Sequence, residues 1–172
     1  MQPGEFHFGG GRVRVRTLLG SCIAIVFWHP TKKVGGMCHF LLPTRGKPRA
    51  ASAPLDGRYA DEAMAMFLRE MKQCGTEPSE YVAKLFGGGR MFPEHSRMSS
   101  CEMNACTEER RRVCGDVACK NIQAARELLM QRHVNIAAEH VGGVGYRQII
   151  FDLSSGDVWV RRRSKSEAKG AA

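Results

Sequence analysis

Basic and β-branched side chains alternate along residues 12–17 (RVRVRT), the period-2 pattern of an exposed or edge strand with one wet face. Residues 22–28 (CIAIVFW) and 34–42 (VGGMCHFLL) differ: both alternating faces are apolar, as expected of strands covered on both sides. The intervening HPTKK supplies proline and polar residues, so the two runs form an antiparallel hairpin. A loop rich in Pro, Gly and Arg (43–57) leads to YADEAMAMFLREMKQCG, where Ala60, Met64, Phe67, Leu68 and Met71 recur at helical spacing until Gly75. YVAKLFGGG (81–89) reads as a strand entering a glycine turn. Residues 91–116 show little periodicity and read as a long loop or insertion. VACKNIQAARELLMQRH forms a second helix with Ile122, Ala125, Leu128 and Leu129 on one stripe, and strands at 134–139, 146–152 and 157–162 follow, the last two joined by SSGD.

Hairpins at both ends, helices between them and no GxGxxG or P-loop after a strand favour an α+β layered sandwich. Its sheets are mixed but largely antiparallel and are flanked by helices. The 172 residues are expected to form one domain over 1–162, followed by a disordered basic tail at 163–172.

Composition narrows the function classes. No apolar run reaches the roughly 20 residues of a bilayer span, and residues 1–12 (MQPGEFHFGGGR) lack the apolar core of a signal peptide, so no direct membrane insertion and a cytoplasmic location are expected. Seven cysteines at irregular positions are then reduced thiols, available for packing, metal binding or catalysis. The net charge of +9 gathers in Arg110–Arg112 and in the tail from Arg161 to Lys169, with no interleaved aromatic residues, which argues against nucleic acid as a partner.

The hairpin gives two of these residues a shared place. With a four-residue loop at 29–32, Trp28 pairs with Lys33 and Cys22 stands directly opposite His39, their Cβ atoms about 5 Å apart. A register slip of two keeps them on one face as diagonal neighbours, whereas a slip of one sends them to opposite faces. A cysteine and a histidine so placed suit covalent acyl transfer: the imidazole takes the thiol proton and the sulfur attacks a carbonyl. Gly20 and Ser21 before the cysteine leave backbone N–H groups open toward a developing oxyanion, and Thr17 is the nearest group able to orient the imidazole. Cys38 points to the other face. These residues alone leave a second reading open, in which Cys22 is a packed core thiol and His39 a structural histidine.

TLLGSCIAIVFW, GGMCHFLLP, KLFGGGRMF, AEHVGGVGYR and SGDVWVRR resemble, in that order, the chemoreceptor glutamine deamidase family, CheD, over about residues 8–162. The resemblance implies a hydrolase that converts particular glutamines on the cytoplasmic helices of bacterial chemotaxis receptors to glutamate through a cysteine thioester, with some activity on glutamate methyl esters. It places the nucleophile on Cys22, the base on His39 and the third residue on Thr17. It implies no metal or organic cofactor, and a CheC-type phosphatase as a second partner. The alternative is a non-catalytic adaptor that keeps the fold to bind receptors or the phosphatase. Two features depart from the family pattern. His140-Val141-Gly142-Gly143 stands where members often carry Asp-x-Gly-Gly, and the 91–116 segment holds Cys101, Cys106 and Cys114 ahead of Cys119. Their C-x4-C-x7-C-x4-C spacing differs from paired zinc knuckles, so thiols in a loop are the simpler reading.

Overall fold

The computed structural model describes residues 1–50, 52–90 and 116–163. In chain order the strands are β1 (Phe6–Gly10), β2 (Arg14–Leu19), β3 (Ile23–His29), β4 (Val34–Cys38), β5 (Val82–Gly87), β6 (Asn135–Val141), β7 (Tyr146–Asp152) and β8 (Val158–Arg163). The helices are α1 (Ala60–Gln73) and α2 (Val117–Gln131). The strands form a five-stranded sheet ordered β1-β4-β3-β5-β6 and a three-stranded sheet ordered β2-β7-β8. Every pairing is antiparallel except β5 with β6, which are joined through α2 and run parallel, as a helical crossover requires. The α+β sandwich of mixed, largely antiparallel sheets expected from the pattern is the observed fold.

Alternation along β3 sets the layers. Ile23, Ile25 and Phe27 face the helices, where they meet Phe67 and Met71 of α1 and Ile122, Ala125 and Leu129 of α2. Ala24 and Val26 face the other way and pack with Val15 and Leu19 of β2 and Ile149 and Phe151 of β7. The five-stranded sheet is therefore the middle layer, which is why β3 and β4 are apolar on both faces. Edge strand β2 buries Val15, Thr17 and Leu19 and exposes Arg14, Arg16 and Leu18. At the centre of the helix-side core, Phe67 stands edge-on to Phe6 and Phe27, each at a centroid distance of 4.7 Å. β4 passes beneath this ring only because residue 36 is glycine: a Cβ there would come within 2.3 Å of the His7 carbonyl oxygen and 3.0 Å of Phe67.

The hairpin closes one residue later than expected. His29 pairs with Val34, and the loop is 30–33 rather than 29–32. Pro30 has no N–H to give a ladder, Lys33 adopts φ 52° and donates to the His29 carbonyl at 2.9 Å, and Lys32 N–H reaches His29 Nδ1 at 3.3 Å. The register consequently slips by two, from His29–Val34 to Val26–Met37, and the same register recurs at an isolated Ile23–Phe40 bridge. Strand β1, which the sequence reading left unassigned, pairs with β4 from Phe6–Cys38 to Gly10–Val34. Residues 91–115 and 164–172 lie outside the described residues, including Cys101, Cys106, Cys114 and most of the basic tail; Cys119 is in the first turn of α2. No helix among the described residues is long and apolar enough to cross a membrane.

Because Phe67 lies on the helix side of the middle sheet, Phe67→Ala should lower the unfolding free energy by about 3–5 kcal/mol, measured by urea titration, while leaving the alkylation rate of Cys22 in the still-folded protein within about twofold of wild type.

Candidate active site

The slip by two makes Cys22 and His39 diagonal neighbours on the face of the middle sheet that looks toward β2. Cys22 is half-buried at the margin of the inter-sheet core, and His39 is 1% exposed. The main chain of His39 is held by the segment before β1: its N–H donates to the Glu5 carbonyl at 3.1 Å, and its carbonyl accepts from Gly4 N–H at 2.7 Å. From the opposing sheet the inward-facing Thr17, 3% exposed, brings Oγ1 to 2.8 Å from His39 Nδ1.

Hydrogen counting fixes the imidazole tautomer. Thr17 Oγ1 carries one proton, which it donates to the Met1 carbonyl at 2.9 Å. The hydroxyl must then accept from His39, so Nδ1 carries the hydrogen and Nε2 keeps its lone pair. That Nε2 is buried and has no hydrogen-bond partner among the described residues. Burial lowers the His39 pKa from 6.5 to about 4, the terminal amino group acts in the same direction, and Glu5 opposes both. Burial raises the Cys22 pKa above its ordinary 9.0, opposed by its own backbone N–H and the Ser21 hydroxyl. The resting pair is thus a neutral thiol beside a neutral imidazole. Cys38 faces the helix-side core and is pushed up to about 12 by burial, which removes it as a rival nucleophile.

The approach to Cys22 has two chemically distinct sides. Gly89 N–H donates to the Gly20 carbonyl at 2.7 Å, Asn121 Nδ2 to the Ser21 carbonyl at 3.1 Å, and Gly88 N–H to the Cys22 carbonyl at 2.8 Å. Among the described residues no acceptor takes the N–H of Ser21 or Cys22. Gly87, at φ 118°, is obligatory for this contact, since a Cβ there would stand 2.1 Å from the Cys22 carbonyl oxygen.

A family model described as CheD chemotactic sensory transduction matches residues 41–162. Relatives extend the similarity through the Thr17–His39 region. A protein of Pseudomonas fluorescens (strain SBW25) named "Probable chemoreceptor glutamine deamidase CheD" is 46% identical over 164 residues, covering 95% of this chain and 83% of its own length. A counterpart in Dechloromonas aromatica (strain RCB), named "Probable chemoreceptor glutamine deamidase CheD 3", is 43% identical over 162 residues, covering 93% and 84%. The chain belongs to the CheD family. A more distant member from Leptospira interrogans, named "Probable chemoreceptor glutamine deamidase CheD 1", is 36% identical over 166 residues and covers 94% of this chain and 90% of its own.

Two residues of this CheD chain that the sequence reading passed over support the loop. Asn121 is buried on α2 beside Ile122, next to the stripe of Ile122, Ala125 and Leu129; a polar side chain one turn before Ala125 was the available signal. Arg147 of β7 is 2% exposed and donates through both terminal nitrogens, to the carbonyls of Gly87 and Gly142. Burial draws its pKa down to about 10. It ties the three-stranded sheet to the ends of β5 and β6, and the basic residue within GYR was the only hint of it. His140, at the departure from the family pattern, is exposed on β6 opposite Phe86. Arg90 Nε donates to Asp116 at 3.1 Å while Asp116 caps α2 by accepting from Ala118 N–H at 3.0 Å, so the two flanks of residues 91–115 are pinned together. No cluster of His, Cys, Asp or Glu among the described residues could hold a metal ion.

The pKa directions set two pH dependences. Alkylation of Cys22 by iodoacetamide, followed on its own peptide by mass spectrometry, should keep rising through pH 9; a plateau already reached near neutral pH would reveal a standing thiolate–imidazolium pair. For His39, folding lowers the pKa, so the unfolded chain takes up the proton first. Its contribution to stability is complete above pH 6.5 and is lost as pH falls toward about 4, and His39→Gln should flatten the unfolding free energy across that window.

Proposed function

We propose that this chain is a cysteine amidohydrolase that deamidates specific glutamine side chains on the cytoplasmic helices of chemoreceptors, with Cys22, His39 and Thr17 as its catalytic residues. The observation that carries the chemistry is the 2.8 Å contact of Thr17 Oγ1 with His39 Nδ1, which leaves a buried, unpartnered Nε2 on the face that Cys22 shares. Membership of the CheD family and the names of the relatives supply the substrate. A non-catalytic adaptor would gain nothing from an unpaired buried imidazole nitrogen, which costs stability.

In the proposed cycle the Cys22 thiol gives its proton to His39 Nε2 as sulfur bonds to the carboxamide carbon. Because both groups rest neutral, proton transfer accompanies attack. The oxyanion of the tetrahedral intermediate is met by N–H groups of the loop at Gly20, Ser21 and Cys22, of which those of Ser21 and Cys22 have no backbone acceptor among the described residues. Collapse breaks the C–N bond, and the imidazolium delivers its proton to the departing nitrogen, which leaves as ammonia. A water then gives a proton to Nε2 and attacks the thioester; the C–S bond breaks, glutamate is released, and the sulfur recovers the proton. Thr17 keeps the ring in the Nδ1–H tautomer throughout. No step calls on a metal or organic cofactor. A glutamate methyl ester fits the same cycle with methanol as leaving group. The substrate helices place the enzyme in the cytoplasm, and a CheC-type phosphatase is proposed as a second partner on the strength of the family resemblance.

Incubation with a receptor cytoplasmic fragment, followed by peptide mass spectrometry, should show glutamine-to-glutamate conversion at discrete positions. Cys22→Ala should abolish it and His39→Gln should lower kcat by about 10²–10⁴-fold. Thr17→Val should cause a smaller loss, since it removes the orienting group and leaves the base. Conversion that survives Cys22→Ala would sink the mechanism, and a wild-type chain inert on every cognate receptor would favour the adaptor.

A further inference from the structure

Asn121 is fully enclosed, yet it is polar and stands on the packing stripe of α2. Its Nδ2 donates to the Ser21 carbonyl at 3.1 Å and to the Leu41 carbonyl at 2.7 Å, while its Oδ1 has no partner among the described residues. The amide orientation follows from its neighbours, because two carbonyl oxygens can be met only by the NH₂ end. One side chain from the helix layer therefore holds the residue before Cys22 and the residue just beyond the His39–Phe40 segment. An apolar side chain at this position would avoid leaving an oxygen unpaired in the core.

The bond to Ser21 has a directional consequence. In a trans peptide the carbonyl of residue 21 and the N–H of residue 22 point in opposite directions. Drawing the Ser21 oxygen toward α2 turns the Cys22 N–H away from it, where no backbone acceptor among the described residues takes it. Cys22 packs against the inter-sheet cluster, on the face of the middle sheet turned away from α2. The N–H turned away from α2 is therefore on the nucleophile's side, the position from which an oxyanion donor must act.

We propose that Asn121 is the positioning residue of the oxyanion hole: its amide holds the Ser21–Cys22 peptide so that the Cys22 N–H faces the substrate oxygen. The inference rests on the proposed acyl-transfer reading. It also makes a distinction that mere packing does not. Attack on a carboxamide develops an oxyanion, whereas displacement of iodide from iodoacetamide does not. Losing the positioning amide should slow the first reaction and spare the second.

The test compares Asn121→Leu, which keeps the volume and removes the donor, with wild type. Deamidation of a receptor fragment should lose about 10²-fold in kcat with KM little changed, while iodoacetamide alkylation of Cys22 stays within about twofold. A second arm does not depend on turnover: a peptide bearing a glutamate γ-semialdehyde adds reversibly to Cys22, forming the same type of oxyanion. Its protection of Cys22 from alkylation should weaken at least tenfold in the variant. An unchanged kcat and unchanged aldehyde protection would overturn the proposal, as would a parallel fall in alkylation, which would mark Asn121 as support for the thiol or the fold. If Asn121→Leu does not fold, Asn121→Ser is put through the same comparison. A wild type inert on receptors but protected by the aldehyde would count against the proposed substrate and leave the positioning role to be read from the second arm.

Discussion

The hydrogen bond between Thr17 Oγ1 and His39 Nδ1 joins the two layers through two polar side chains that are both buried. Its 2.8 Å length depends on three registers at once: β2 against β7, which turns Thr17 inward, β4 against β1, which seats the His39 segment, and β3 against β4, which sets Cys22 on the same side. A one-residue slip in any of them would reverse the faces and break the set. Since the hydroxyl proton is committed to the Met1 carbonyl, the contact also leaves the lone pair on Nε2, the nitrogen proposed as the base. A packing constraint between layers thereby becomes a statement about proton transfer.

The division of labour between the faces of the middle sheet explains how such a site stays compatible with a stable fold. The helix side carries the aromatic and aliphatic core around Phe67, and Cys38 is buried within it, its pKa pushed up to about 12. The other side thins from an apolar core near Val26 and Phe151 to polar residues where β3 begins. There the loop entering Cys22 has its carbonyls occupied by Gly88, Gly89 and Asn121, while the amides of Ser21 and Cys22 have no backbone acceptor among the described residues. Three carbonyls drawn to one set of partners give the loop a polarity that no single side chain provides. Arg147, donating to the carbonyls of Gly87 and Gly142 from the second sheet, holds the glycine turn that does part of this work.

Much of this was legible along the chain because it rests on local pattern. The doubly apolar runs CIAIVFW and VGGMCHFLL announced the middle layer, RVRVRT announced a half-wet edge strand, and the stripe Ala60, Met64, Phe67, Met71 announced α1. The pairing of Cys22 with His39 on one face was also readable, since it depends only on parity, but the direct opposition was not. Where the turn closed depended on Pro30 and on Lys33 accepting a left-handed backbone, and neither is visible in hydrophobic alternation. Strand β1 escaped notice because two of its five residues are glycine and its apolar signal is only Phe6 and Phe8, whose partner Phe67 is remote in sequence. Asn121 and Arg147 act through contacts with backbone carbonyls, and sequence carries no record of which carbonyls lack a donor. The family resemblance supplied what local physics does not, namely the class of amide proposed as the substrate.

The account stands on Cys22 forming a covalent bond with the substrate carbonyl on the face it shares with His39. Rapid acid quenching of wild-type protein during turnover of a glutamine-containing receptor peptide, followed by mass mapping, addresses this directly. The prediction is a glutamyl thioester on the peptide that contains Cys22 and on none of those that contain the other cysteines. Full turnover with no adduct on Cys22, or an adduct on a different cysteine, would contradict it.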